Sequence, residues 1–359
     1  KADFLWGKHL MMKAAIRSDN PRLADATLAD VLDTDTSNDG LICRTMVWMT
    51  KAAYRAFYGD ISECRAYIEF IQQYAGGLPR YLQLKARNLS MLVSVRLGEF
   101  DAALQQGRTT LRLATEHHNT SDAMNASANT CAVYLRIGAW DKAVAELERI
   151  DNQWMKGRRD VTLSNAHSVA ALNRADYLLY SERFDEAHSY HRRLQDRLPP
   201  SGAEYLHAEI QANRGLIASA RRDPEEAMKM WADLRKSYSK EAFTYAGLQN
   251  RYKLYWLAGV VGWYEGDSSI VPVLRQRAAG EEGVDKIGGA MTQYIARLFE
   301  VAFESKGKEV FGDSNLLTES SEFSRLQELN VGWFGYFARR WCRRACIDST
   351  YREVTFEVS

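Results

Sequence analysis

The sequence is short of proline, with 6 in 359 residues, and short of net charge, since 47 Lys and Arg stand against 46 Asp and Glu and leave +1. So few prolines leave long stretches open to uninterrupted helix. The even balance supplies no overall attraction for a polyanion, so nucleic-acid or membrane binding would have to rest on a local patch. Cysteine is scarce as well. Cys43, Cys64, Cys131, Cys342 and Cys346 are odd in number and mostly far apart, unlike the paired framework of a small secreted domain, and they point to a reducing, cytoplasmic setting. The strongest apolar run, 255–264, is half the roughly 20 residues that a membrane span needs, and the opening residues do not read as a basic-then-apolar leader.

Catalytic patterns are missing too. There is no Gly-x-x-x-x-Gly-Lys-Ser/Thr loop to cradle phosphate and no Gly-x-Ser-x-Gly elbow to present a nucleophile. The histidines, His9, His117, His118, His167, His188, His191 and His207, are spread thinly, and none follows residue 207. His188 and His191 stand three apart, as two metal ligands on one helix would, but no third and fourth ligand lies near them in the sequence. The sequence therefore predicts a chain with no catalytic centre, no metal and no cofactor.

What is present is a period. One short pattern occurs as Leu97-Gly98-Glu99-Phe100-Asp101-Ala102-Ala103, as Ile137-Gly138-Ala139-Trp140-Asp141-Lys142-Ala143 and as Ser181-Glu182-Arg183-Phe184-Asp185-Glu186-Ala187. A weaker copy ends at Ala227, so the four closing alanines are separated by 40, 44 and 40 residues. Stepping back 39 and then 40 residues reaches Cys64 and Ala24, each small and each just after a turn-forming stretch. The pattern has the chemistry of a tight helical hairpin. Gly ends the first helix in a left-handed conformation, the aromatic fills the gap between helices, Asp caps the second helix, and Ala lets a neighbouring helix pass close by. The stretches 82–97, 125–137, 161–180 and 205–220 lack proline and read as first helices. A single hairpin cannot bury its apolar face alone, so copies must stack, giving six to seven hairpins up to about residue 275.

The Gly-x-aromatic-Asp-x-x-Ala copies resemble the turn of the tetratricopeptide (TPR) superfamily over about residues 20–270. A unit near 40 residues departs from the usual 34 and matches in rhythm the sensor domains of MalT-like transcription activators and the bacterial peptide-pheromone receptors; HEAT and armadillo arrays share the period but not the turn. The resemblance implies an all-α fold, a right-handed superhelix of stacked hairpins over 1–275, with 276–359 as a C-terminal helical cap or the start of a further domain.

In such arrays the first helices line a concave groove that takes extended peptides. Asn129, Asn173 and Asn213 each lie fourteen residues before a repeat alanine, and Asn88 is one place out of phase. Asn offers one acceptor and two donors, as gripping a peptide backbone requires. Asn125, one turn before Asn129, joins them; Arg96 and Arg136, seven residues before Ala103 and Ala143, can offer charge to a carboxylate. Tyr177, Lys85 and Glu209 are lesser candidates by the same geometry. The plainer alternative is that these asparagines bridge adjacent hairpins or face water.

Beyond residue 275 the rhythm fades. Gly280–Gly289 reads as a hinge, 287–303 as a further helix, 307–321 as a polar loop and 323–346 as one aromatic helix. Within that last helix Trp333, Phe334, Tyr336, Phe337 and Trp341 accompany Arg339, Arg340, Arg343 and Arg344, as in a helix that covers the open end of an array and turns its arginines to solvent. Residues 351–358 alternate like a strand in need of a partner, in a neighbouring domain of a longer chain or in a second chain. The functional expectation is a protein- or peptide-binding module, a ligand sensor or scaffold of a signalling or transcription regulator. The alternatives are the regulatory arm of a larger enzyme and a helical repeat that binds nucleic acid.

Overall fold

The structure, a computed structural model, describes residues 1–17, 20–37, 39–155, 165–198, 204–237, 251–304 and 315–345, and every regular element among them is helical. Hairpins follow one another: α1 (Ala2–Arg17) with α2 (Pro21–Leu32), α3 (Leu41–Tyr58) with α4 (Arg65–Tyr74), and α5 (Arg80–Leu97) with α6 (Phe100–Glu116). They continue through α7 (Thr120–Arg136) with α8 (Trp140–Ile150), α9 (Asn165–Tyr180) with α10 (Phe184–Gln195), and α11 (Glu204–Ala220) with α12 (Pro224–Ser237). Next come α13 (Tyr252–Glu265) with α14 (Ile270–Glu282), then α15 (Lys286–Glu304), a single turn α16 (Asn315–Thr318), α17 (Ser321–Glu328) and α18 (Gly332–Arg344). Each odd-numbered helix from α1 to α13 packs on the next odd-numbered one, so the first helices form one continuous layer through to α15. This is the TPR-like solenoid that the sequence predicts.

The repeated turn works through its backbone. Gly98, Gly138, Glu182 and Arg222 all adopt left-handed φ, at 80°, 70°, 60° and 63°. In each turn the following N–H returns to the carbonyl five residues earlier: Glu99 to Ser94, Ala139 to Tyr134, Arg183 to Leu178 and Asp223 to Ala218, at 2.8–3.0 Å. This is the Schellman bond that satisfies a helix end. The repeat alanines Ala103, Ala143, Ala187 and Ala227, and the extrapolated Ala24 and Cys64, are all buried. The capping expectation needs correction. The second helices begin at the aromatic residue, so Asp101, Asp141 and Asp185 lie inside the first turn and favour the helix N-terminus by their charge. Only in the fourth copy does the Asp cap, with Glu226 N–H donating to Asp223 Oδ1 at 3.0 Å.

The C-terminal part differs from the sequence reading in three ways. α14 and α15 form one more hairpin, and the glycine-rich hinge is its turn, where Gly289 lies so close to Glu282 that a Cβ would stand 2.8 Å from that backbone. The aromatic segment is two helices, because Asn330 turns left-handed (φ 58°) and Val331 N–H closes on Leu326 O at 2.9 Å. Within the stretch 307–321, residues up to 314 lie outside those described, and the rest holds the turn α16 and the first residue of α17. Cys346 and the strand-like 351–358 also lie outside the described residues.

As a cap, α18 buries Phe334, Phe337 and Trp341 edge-on around Trp256 of α13, at 5.5, 5.7 and 4.8 Å between ring centroids, while Arg340, Arg343 and Arg344 stay exposed. Each buried ring contributes about 2–3 kcal/mol of apolar transfer before ordering costs. These helices share one core with α5–α13, and a second core runs from Leu5 to Leu97. The superhelix also closes on itself. Ile61 N–H donates to Gly283 O at 2.8 Å, and Ile287 packs beside Gly98.

Candidate functional site

The inner faces of α5, α7, α9 and α11 converge on one pocket, closed on its far side by Tyr252, by Met291 of α15 and by Trp333 of α18. Apolar Met91, Val95, Leu135, Leu172 and Leu206 line it together with polar Arg96, Asn129, Arg136, Asn173, Asp176 and Glu209. Such a mixture suits an extended ligand with both backbone groups and side chains to place.

Charge is buried around this pocket in two groups. In the first, Lys253 Nζ on α13 lies 2.5 Å from Asp176 of α9 and 3.1 Å from Glu209 of α11, and Asn213 Nδ2 donates to Asp176 Oδ1 at 2.9 Å. Burial works against the Lys253 charge, but Asp176 and Glu209 outweigh it and hold the pKa above the usual lysine value. One cation thus ties three successive first helices, and the hydroxyls of Tyr180 and Tyr252 bond beside it. In the second group Arg136 faces Asp285 at 3.4 Å and Arg251 faces Glu281 at 3.2 Å, all buried. Arg96, also buried, donates to Ala56 O at 2.5 Å and lies 4.2 Å over the Phe57 ring. Burial pushes its pKa down to about 10, so it stays charged at neutral pH. For Arg136 burial is again the largest influence and lowers the pKa, but Asp285 and the neighbouring tyrosines raise it overall.

Of the residues chosen from sequence, Asn129, Asn173, Arg96, Arg136 and Glu209 line the pocket. Asn173 Nδ2 donates to Ala128 O on α7 at 2.6 Å, and Asn213 is fully buried on Asp176, so both make the bridges between hairpins that the plainer reading allows. Asn129 is partly exposed, and no side-chain hydrogen bond holds it among the described residues. Asn88, Asn125 and Tyr177 are half-buried and do not line the pocket, and Asn88 Oδ1 has no partner among the described residues. Lys85 is engaged with Asp122 at 2.5 Å. His191 is buried, with Nδ1 on the Ala187 carbonyl of its own helix at 2.7 Å, and burial lowers its pKa to about 4.

Nearly the whole chain is similar in fold to solved structures. One is the crystal structure of a Rap protein complexed with competence and sporulation factor, with TM-score 0.56 and 12% identity, covering 96% of this chain and 98% of that one. Another is NprR in complex with its cognate peptide NprX, with TM-score 0.51 and 13% identity, covering 94% and 98%. This chain shares their fold. No family model matches it, and no curated protein matches it in sequence.

Within that fold, sequence reasoning missed Asp176, Lys253, Arg251, Glu281, Asp285 and Trp333. Lys253 carried a usable signal, because it is the only charge before the last residue of a helix otherwise apolar on every side, and such a charge must be paired to be buried. Asp285 and Trp333 carried none, since their partners are 149 and 197 residues away.

Proposed function

We propose that this chain is a peptide-binding repeat protein that works in the cytoplasm as the ligand-sensing or scaffolding part of a signalling or transcription regulator, with no catalytic centre of its own. The array up to about residue 275 supplies the groove, and the C-terminal part closes it through Met291 and Trp333. The observation that carries this reading is the convergence of Asn129, Asn173, Arg96, Asp176 and Glu209, from four consecutive first helices, on one pocket of the inner layer. Proteins of the same fold in complex with competence and sporulation factor and with the peptide NprX support it. No described helix is long and apolar enough to cross a membrane.

Asn129 is the residue to test, because its amide is free to meet a ligand backbone. Heptapeptides selected from a random pool on the wild-type chain should bind Asn129→Ala about 5- to 30-fold more weakly, the loss of one or two hydrogen bonds. Equal affinities by calorimetry would remove the concave face from the account. Asn173→Ala and Asn213→Ala should lower the melting temperature as well, because their amides tie neighbouring repeats.

A further inference from the structure

The pocket is filled from within. Trp333, near the start of α18, stands edge-to-face against Trp140 at 4.9 Å and Tyr180 at 5.2 Å. Its indole N–H donates to the main-chain oxygen of Arg136 at 2.7 Å. That carbonyl belongs to the last turn of α7, where no further helix turn supplies a donor. Gly138 makes the room, since a Cβ there would lie 2.9 Å from Trp333 Cδ1. The ring thus sits in a subsite built by the array itself, with two aromatic walls, a missing side chain and one outward acceptor. Beside it about 50 Å³ of solvent-sized space remains. Ligand sites usually measure roughly 300–1,000 Å³, so the Trp333 ring takes up aromatic space that a ligand side chain would otherwise use.

α18 has two different attachments. Its main seat is on α13, where Phe334, Phe337 and Trp341 surround Trp256, and on α15, where Tyr294 OH donates to Gly335 O at 3.4 Å. Towards the earlier repeats it presents Trp333, the edge of Phe337 on Tyr180 at 5.5 Å, and two arginines. Arg340 Nε donates to Glu182 at 2.7 Å and Arg344 Nε to Ala220 O at 3.2 Å, and both arginines are exposed. Trp333 thus lies on the side of α18 that faces the earlier repeats, while Trp341 packs on Trp256 of α13.

We propose that Trp333 is a resident surrogate ligand: it occupies an aromatic subsite of the groove, and the peptide this chain binds carries an indole-like side chain that takes its place. This rests on the peptide-binding reading and adds the ligand's chemistry, a flat aromatic ring whose N–H bonds to the Arg136 carbonyl. Helix α18 then acts as a self-inhibitory strap that the correct peptide displaces.

The test uses the full chain and indole as the probe. Trp333→Ala should bind indole saturably, at least tenfold more tightly than wild type and more tightly than 1-methylindole, which cannot donate to Arg136. Heptapeptides enriched from a random pool on either chain should share an aromatic position, predominantly Trp, and bind Trp333→Ala at least tenfold more tightly. If circular dichroism shows that Trp333→Ala does not fold, Trp333→Phe replaces it, with a smaller gain expected because a six-membered ring stays while the fused five-membered ring and its N–H are lost. Indole binding no better than that of wild type, or equal peptide affinities for both chains, would overturn the proposal. Enriched peptides without aromatics would overturn it and leave the peptide-binding reading standing. Indole binding with no peptide enriched on either chain would overturn both.

Discussion

Replacing Lys253 by Met tests whether the buried charge group holds three successive first helices together. Met keeps most of the length of the side chain and removes only the charge. In the native chain Lys253, Asp176 and Glu209 are all buried, with the ammonium 2.5 Å from one carboxylate and 3.1 Å from the other. Without the cation, two carboxylates on α9 and α11 remain out of water and repel each other. Breaking a buried pair by removing one partner costs about 3–5 kcal/mol, whereas replacing all its members with neutral groups is often close to neutral. Lys253→Met should therefore lose about 3–5 kcal/mol in urea unfolding at pH 7.5, followed by far-ultraviolet circular dichroism. The triple variant Lys253→Met, Asp176→Asn, Glu209→Gln should regain at least half of that. A single variant within about 1 kcal/mol of wild type, or a triple variant no better than the single, would refute the reasoning.

Two further outcomes follow from the packing. His191 has its folded pKa lowered to about 4 by burial, against about 6.5 unfolded, so the unfolded chain binds the proton first and stability is lost as pH falls from about 6.5 towards 4. Between pH 7.5 and 5.0 this amounts to about 2 kcal/mol, and His191→Leu should lose that much less than wild type over the same interval in urea titrations; identical losses would show that His191 is not kept neutral. Gly259→Ala places a methyl group 2.4–2.5 Å from the ring of Phe299, itself buried, and overpacking of this kind should cost roughly 1–3 kcal/mol. An unchanged melting midpoint would mean that α13 and α15 do not approach so closely.

The hairpins were legible because their signals are local. A left-handed residue, an aromatic and a small residue at fixed offsets act within one turn, and the same backbone bond forms even where Glu182 or Arg222 stands in place of Gly. The Asp of the pattern was misread by one or two places, since a carboxylate favours a helix N-terminus both as a cap and inside the first turn. The cap was legible in kind, as aromatics with arginines at helical spacing, but its break at Asn330 was not. A lone Asn mid-helix is unfavourable without being decisive.

The sequence by itself determined the repeat, its phase and the face on which Asn129, Asn173 and Asn213 lie. It did not determine what stands opposite that face. Asn173 meets a carbonyl of the neighbouring helix, Asn213 meets Asp176, and Asn129 meets the open pocket, although all three share one phase. The closure was likewise beyond reach of local reasoning: Arg136 finds Asp285, and Trp333 finds the Arg136 carbonyl. Both depend on the superhelical radius, which is the sum of small rotations from one repeat to the next. The folded array adds those rotations up, and so it alone decides that Trp333 meets the pocket that α5, α7, α9 and α11 build.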